Sequence, residues 1–279
     1  MIILYSKNAT ILRVPKTGST TLESSIRFSP GCFADGDRST TVDDSRIPSV
    51  NIGDYETILT SRTALVRSIR DKRDNSPQNY TAEEQSLIDF SENQRQNNLF
   101  KKIPLPHSTL SDLVDSESWG DLNYLTTSQL ESFNHYAFIR NPLKRIISGF
   151  LFVWHVRRNH RIPVGVTEFH DHINSADFGT GLVYRKQIDY FKHDGTQITT
   201  PLLFENYETE MNNLITTLGG TPLREYPKFK SNLSDRFMLT DPKPSVENWI
   251  EPYSDIKDKI LNHYSEDVTL WQNTSGQTL

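Results

Sequence analysis

Ala9-Thr10-Ile11-Leu12-Arg13-Val14-Pro15-Lys16-Thr17-Gly18-Ser19-Thr20-Thr21-Leu22 runs, in order, through an apolar β-branched segment, a turn and the start of a helix. The segment from Ala9 to Val14 is short and nearly continuous in its apolar character, which suits a strand covered on both faces. Pro15 stops it, because proline has no N–H to offer a ladder. Lys16 to Ser19 has turn chemistry, and from Thr20 to Phe28 the residues Leu22, Ser25 and Ile26 recur at helical spacing with Glu23 near the helix start.

The same order returns further along the chain. Phe133 to Ile139 reads as a strand, and Asn141-Pro142 puts a capping side chain and a proline where a helix should begin. That helix is long: Leu143, Ile146, Ile147, Phe150, Val153 and Trp154 form one apolar face, with Lys144, Arg145, Arg157 and Arg158 elsewhere. Pro201 to Phe204 is a third short strand, followed by a helix from about Glu208 to Leu218 that Gly219-Gly220 ends. Repeated strand-to-helix passages predict an α/β fold, a P-loop-like three-layer arrangement with a central parallel sheet flanked by helices. Sheets of this kind bind ligands at the carboxyl ends of their strands.

No Gly- and Ser-rich linker divides the 279 residues, so one domain over 1–279 is expected, with residues 29–103 as an irregular or inserted region. Within that region Ile58 to Arg70 suits another strand-to-helix passage. Thr81-Ala82-Glu83-Glu84 opens a polar helix to about Asn98 with a capping-box pattern. Hydrophobic residues make up 35% of the chain and aromatics 10%, enough for a core. A net charge of -5 argues against a general nucleic-acid binder, so any anion site must be local. Cys32 is the sole cysteine, which excludes an intramolecular disulfide framework and a cysteine-based zinc cluster. The amino terminus carries no signal-peptide pattern, and no run of about 18 apolar residues could span a bilayer. A soluble cytoplasmic protein is expected.

The loop 15–21 holds what an anion cradle needs: a glycine that admits close backbone approach, free N–H groups at a helix start, hydroxyls and a cation. It departs from the nucleoside-triphosphatase pattern, because Lys16 precedes Gly18 and no second glycine lies upstream. Gly, Ser and Thr also cluster in ordinary turns, so a second element matters. Arg140 ends a strand and Ser148 sits about two turns into the next helix, so both can look toward one anion at the strand's end.

Val14 to Leu22 resembles the 5′-phosphosulfate loop of sulfotransferases, and Tyr136 to Phe150 resembles their 3′-phosphate motif, an Arg followed eight residues later by a Ser. The chain is similar to the carbohydrate sulfotransferases related to heparan sulfate 2-O-sulfotransferase and their bacterial and viral relatives. Those relatives typically continue with an Arg-x-Gln tract, a Phe-Glu-Asn strand end and an acidic-aromatic tail. Here Arg185-Lys186-Gln187, Phe204-Glu205-Asn206 and Tyr264-Ser265-Glu266-Asp267 stand in that order.

The resemblance implies that Lys16, Thr17, Gly18, Ser19, Thr20 and Thr21 hold the 5′ end of 3′-phosphoadenosine-5′-phosphosulfate (PAPS), and that Arg140 and Ser148 hold its 3′-phosphate. It implies a hydroxyl acceptor, most naturally a glycan, and no metal; its animal members are Golgi-anchored, and with no anchor pattern read in this sequence a bacterial or viral cytosolic origin is expected. Lys230, in a tract similar to the late loop that closes over the nucleotide, is a further candidate for the donor. A histidine suits the task of taking the acceptor's proton. His107, before a predicted helix, is the candidate base, beside His135 and Glu23, each of which also has a plain structural explanation. The basic tract Trp154 to Arg161 could hold an anionic glycan, or could simply complement a helix end. Two other readings stay open: a kinase using ATP on a related loop, and a nucleotide-binding protein without turnover.

Overall fold

The computed structural model describes residues 2–32, 38–39, 107, 109–114, 125–157, 163–226 and 242–279, and the passages expected within 58–98 lie outside them. The chain divides into two compact units, one of residue 1 with 38–131 and the other of 2–37 with 132–279.

Two short helices, Leu110–Val114 of the first unit and Thr127–Ser132, which begins in it, each start with reciprocal capping. Thr109 N–H donates to Asp112 Oδ2 at 2.7 Å while Asp112 N–H donates to Thr109 Oγ1 at 3.3 Å. Thr126 and Gln129 repeat the exchange at 3.0 and 3.2 Å. Each pair satisfies N–H groups that a helix start leaves without partners.

The second unit is built on a sheet of β1 (Ile2–Leu4), β2 (Ala9–Leu12), β3 (Asn134–Ile139) and β4 (Thr199–Leu203). β2 pairs in parallel with β3 (Leu12 opposite Ala137), and β3 pairs in parallel with β4 (Ile139 opposite Leu203). β1 runs antiparallel to β2, a pairing that the strand-to-helix reading does not foresee. Three residues are too few to show a period, and Asn8 closes the connection in the left-handed region at φ 48°.

Each parallel strand leads into a helix. α1 (Ser19–Phe28) follows β2, α2 (Pro142–Arg157) follows β3, and α4 (Tyr207–Thr217) follows β4, with α3 (Val166–Asn174) between α2 and β4. α5 (Ser254–His263) and α6 (Ser265–Ser275) complete the unit. One core gathers Ile11 and Phe138 of the strands with Leu22 and Ile26 of α1 and Met211, Leu214 and Ile215 of α4. A second core gathers Ile146, Phe150 and Trp154 of α2 with Phe169 of α3, Trp249, and Ile256 and Ile260 of α5. Ile11 and Phe138 enter the first core while their neighbours Leu12, Ala137 and Ile139 are fully buried on the opposite face, so β2 is buried at every position. The α/β class with a mostly parallel sheet between helices holds. Its consequence for function is geometric: parallel β2 and β3 end side by side, and so do the loops that follow them.

Candidate functional site

Lys16 and Arg140, 124 residues apart, meet where β2 and β3 end: Arg140 Nη1 donates to the Lys16 carbonyl oxygen at 2.9 Å. Lys16 adopts φ 67°, a left-handed conformation that costs a residue with a Cβ about 1–2 kcal/mol. Such strain persists where surrounding structure imposes it, and functional sites are where it concentrates. Here the Arg140 bond holds the turned Lys16 carbonyl. On the other side, Thr17 Oγ1 donates to the Val14 carbonyl at 2.8 Å, with Thr17 1% exposed. That hydroxyl is committed to shaping the loop, a role that the sequence pattern did not separate from ligand binding.

Gly18 caps α1 at φ 72° and brings no side-chain acceptor to the first helical turn. A Cβ there would stand 2.8 Å from Phe204 Cε2, so the ring packs where any larger residue would need room. The same ring lies under Arg140, with the guanidinium carbon 4.8 Å from the centroid. Ser19 and Thr21 are partly exposed on the first turn of α1, and Ser148 is partly exposed on α2. The side chains of Thr20 and Glu23 lie outside the described residues, as do Lys230 and residues 158–161 of the basic tract. His107 is partly buried and belongs to the other unit, while His135 lies within β3 at 2% exposure.

The electrostatics of the pair are unusual. Burial, reinforced by repulsion from Arg140, pulls the Lys16 ammonium down to about 8 from an ordinary 10.5. Burial also lowers Arg140, an effect that Glu205 opposes and Arg145 reinforces. Arg140 remains a cation throughout, since its ordinary value lies so far above neutrality. Two partly buried cations that repel one another form an arrangement that a multiply charged anion would relieve.

The three later tracts turn out to be the frame behind Arg140. Gln187, fully buried, grips its backbone from both sides: Arg140 N–H donates to Gln187 Oε1 at 3.0 Å and Gln187 Nε2 donates to the Arg140 carbonyl at 2.9 Å. Asp267 of α6 accepts from Gln187 N–H at 2.9 Å and Ile188 N–H at 2.8 Å, and faces Arg145 Nη2 at 3.6 Å with both side chains essentially out of solvent. Glu205 accepts from Asn141 N–H at 2.9 Å and from Trp271 Nε1 at 3.2 Å. Asn141 in turn caps α2, its Oδ1 accepting from Lys144 N–H at 3.1 Å. Tyr264 closes the set by donating from its hydroxyl to the Tyr184 carbonyl at 2.8 Å. Gln187, Glu205 and Asp267 each have fixed partners, so the backbone that carries Arg140 cannot drift without breaking several bonds.

The α/β unit thus brings a cationic loop at the end of one parallel strand beside a clamped arginine at the end of the next, an arrangement suited to a local anion. The profile of the Sulfotransferase family matches residues 2–198, and the chain belongs to that family. A sulfotransferase from Alicyclobacillus acidocaldarius, known from its crystal structure, is 12% identical and similar over 98% of this chain and 96% of its own, with a TM-score of 0.42. None of the curated proteins matches the chain in sequence. Among the described residues no helix is long and apolar enough to cross a membrane, and no group of three or more His, Cys, Asp or Glu side chains is placed to hold a metal ion.

Proposed function

We propose that the protein transfers a sulfuryl group from PAPS to a hydroxyl of a carbohydrate. The observation that carries this reading is the meeting of Lys16 and Arg140, two cations from separate loops joined through one hydrogen bond. A nucleotide with charged groups at both its 5′ and 3′ positions would pair with both.

Lys16, the N–H groups from Thr17 to Thr21 and the hydroxyls of Ser19 and Thr21 would hold the 5′ end, Gly18 letting the Phe204 ring pack against the loop. Thr17 contributes its N–H rather than its hydroxyl, which already donates to Val14. Arg140 and Ser148 would hold the 3′-phosphate, the guanidinium with charge-assisted bonds that a lysine would not reproduce in geometry. In the transfer an acceptor oxygen forms a bond to sulfur as the bond from sulfur to the bridging oxygen breaks, in line, and the electron pair stays on the 5′-phosphate. Lys16 stabilises that gathering charge, the kind of preorganised donor that is commonly the largest catalytic contribution. The acceptor's proton passes to a base, for which we propose His107, with His135 and Glu23 as the other candidates.

The test is calorimetry with adenosine 3′,5′-bisphosphate against ATP with magnesium, followed by labelled PAPS and a panel of glycans. Tighter binding of the bisphosphate and label transfer to a sugar hydroxyl are expected. Preference for ATP removes the reading, and binding without transfer to any hydroxyl leaves a protein without turnover.

A further inference from the structure

The transfer as drawn gives no part to Phe152. This ring lies four residues beyond Ser148, hence on the same stripe of α2, and is 39% exposed, an uncommon state for a phenylalanine on a helix that otherwise feeds a core. The Lys16 ammonium stands 4.4 Å from its centroid. Arg140, from the end of β3, repels that ammonium. Glu205, the carboxylate on the Arg140 side, has its oxygens committed to Asn141 N–H and Trp271 Nε1. The ring is thus the attractive partner that the described residues supply to Lys16.

A π face attracts a cation without bringing a counter-charge. A carboxylate in its place would bind Lys16 more firmly but would also repel an anionic ligand and have to be displaced by it. A ring retains the ammonium and releases it.

We propose that Phe152 is a positioning residue for Lys16: a π-face rest that holds the ammonium above the stripe of α2 carrying Ser148 until a donor's sulfuryl end draws it away. As negative charge gathers on the bridging oxygen, the ammonium leaves the weaker partner for the stronger. This rests on the sulfotransfer reading above, and the experiment keeps the two apart.

Phe152→Leu keeps an apolar side chain and removes the π face, whereas Phe152→Trp keeps the face. The first measurement is an NMR titration of lysine side chains in the nucleotide-free protein, with the Lys16 signal identified by its loss in Lys16→Met. The Leu variant should titrate about half a pH unit lower than wild type, since a charge-stabilising partner is gone while the cover remains, and the Trp variant should not. The second is turnover with PAPS. The Leu variant should lose about three- to fivefold, carried in kcat, with affinity for adenosine 3′,5′-bisphosphate within about twofold of wild type, and Trp should restore the rate. Leu and Trp variants that titrate alike, or that lose turnover equally, overturn the proposal, because simple packing would not distinguish them by their π faces. If no nucleotide binds, the sulfotransfer reading fails, and the titration still decides the contact between Phe152 and Lys16.

Discussion

Nucleotide binding should be coupled to proton uptake through Lys16. Its ammonium is lowered to about 8 by burial first and by Arg140 second, so in the free protein it is partly neutral just above neutral pH. A phosphate placed against it favours the charged form and returns it toward ordinary lysine behaviour. With a free value of about 8 and a bound value well above 9, binding takes up about a quarter of a proton at pH 7.5 and about three quarters at pH 8.5. Above pH 8 the affinity should therefore weaken, approaching tenfold per pH unit. The sign for folding without ligand is the reverse of a stabilising pair. Because the folded value lies below the unfolded one, the unfolded chain holds more protons between about 8 and 10.5, and stability rises with pH across that window. Titration calorimetry with adenosine 3′,5′-bisphosphate in buffers of different ionisation enthalpy reads the uptake directly, with Lys16→Met as the control that should abolish it. Uptake that is the same at pH 7.5 and 8.5, or that survives in Lys16→Met, would refute the placement of this lysine against the nucleotide.

Lys16→Ala should lower turnover at least about a hundredfold while circular dichroism and melting temperature stay near wild type. Asp267→Ala removes the partner of buried Arg145 and the acceptor of two N–H groups, so urea unfolding should show a loss of about 3–5 kcal/mol, with Asp267→Asn milder. Gly18→Ala meets both the φ of 72° and the Phe204 ring at 2.8 Å. It should cost at least about 1 kcal/mol in thermal unfolding and weaken bisphosphate binding through the ring beneath Arg140. Gln187→Leu keeps the volume but strands the Arg140 N–H and carbonyl, and should cost about 1–3 kcal/mol together with nucleotide affinity.

Local chemistry made the strand and helix positions readable within a few residues. Ala9–Leu12, Asn134–Ile139 and Thr199–Leu203 fall where β-branched and apolar runs stand, and α2 begins at the Asn-Pro pair expected to start it. The antiparallel β1 was not readable, because Ile2–Leu4 is too short to carry a pattern. Thr17 looked like a ligand hydroxyl, but its bond to Val14 depends on how the loop folds back. Phe152 lies off the apolar face read for α2, and nothing along the chain placed its ring beside Lys16.

The chain order alone therefore specified the α/β class and the loop bearing Lys16 after the first parallel strand, since propensity, capping and turn chemistry act over a few neighbouring residues. Which distant groups share a site was settled by folding. Arg140 reaching the Lys16 carbonyl, Gln187 gripping the Arg140 backbone and Asp267 anchoring Gln187 join positions far apart in the chain. Hydrogen bonds act over about 3 Å. No periodicity along the sequence reports which side chains a packed sheet and its helices will bring within that reach.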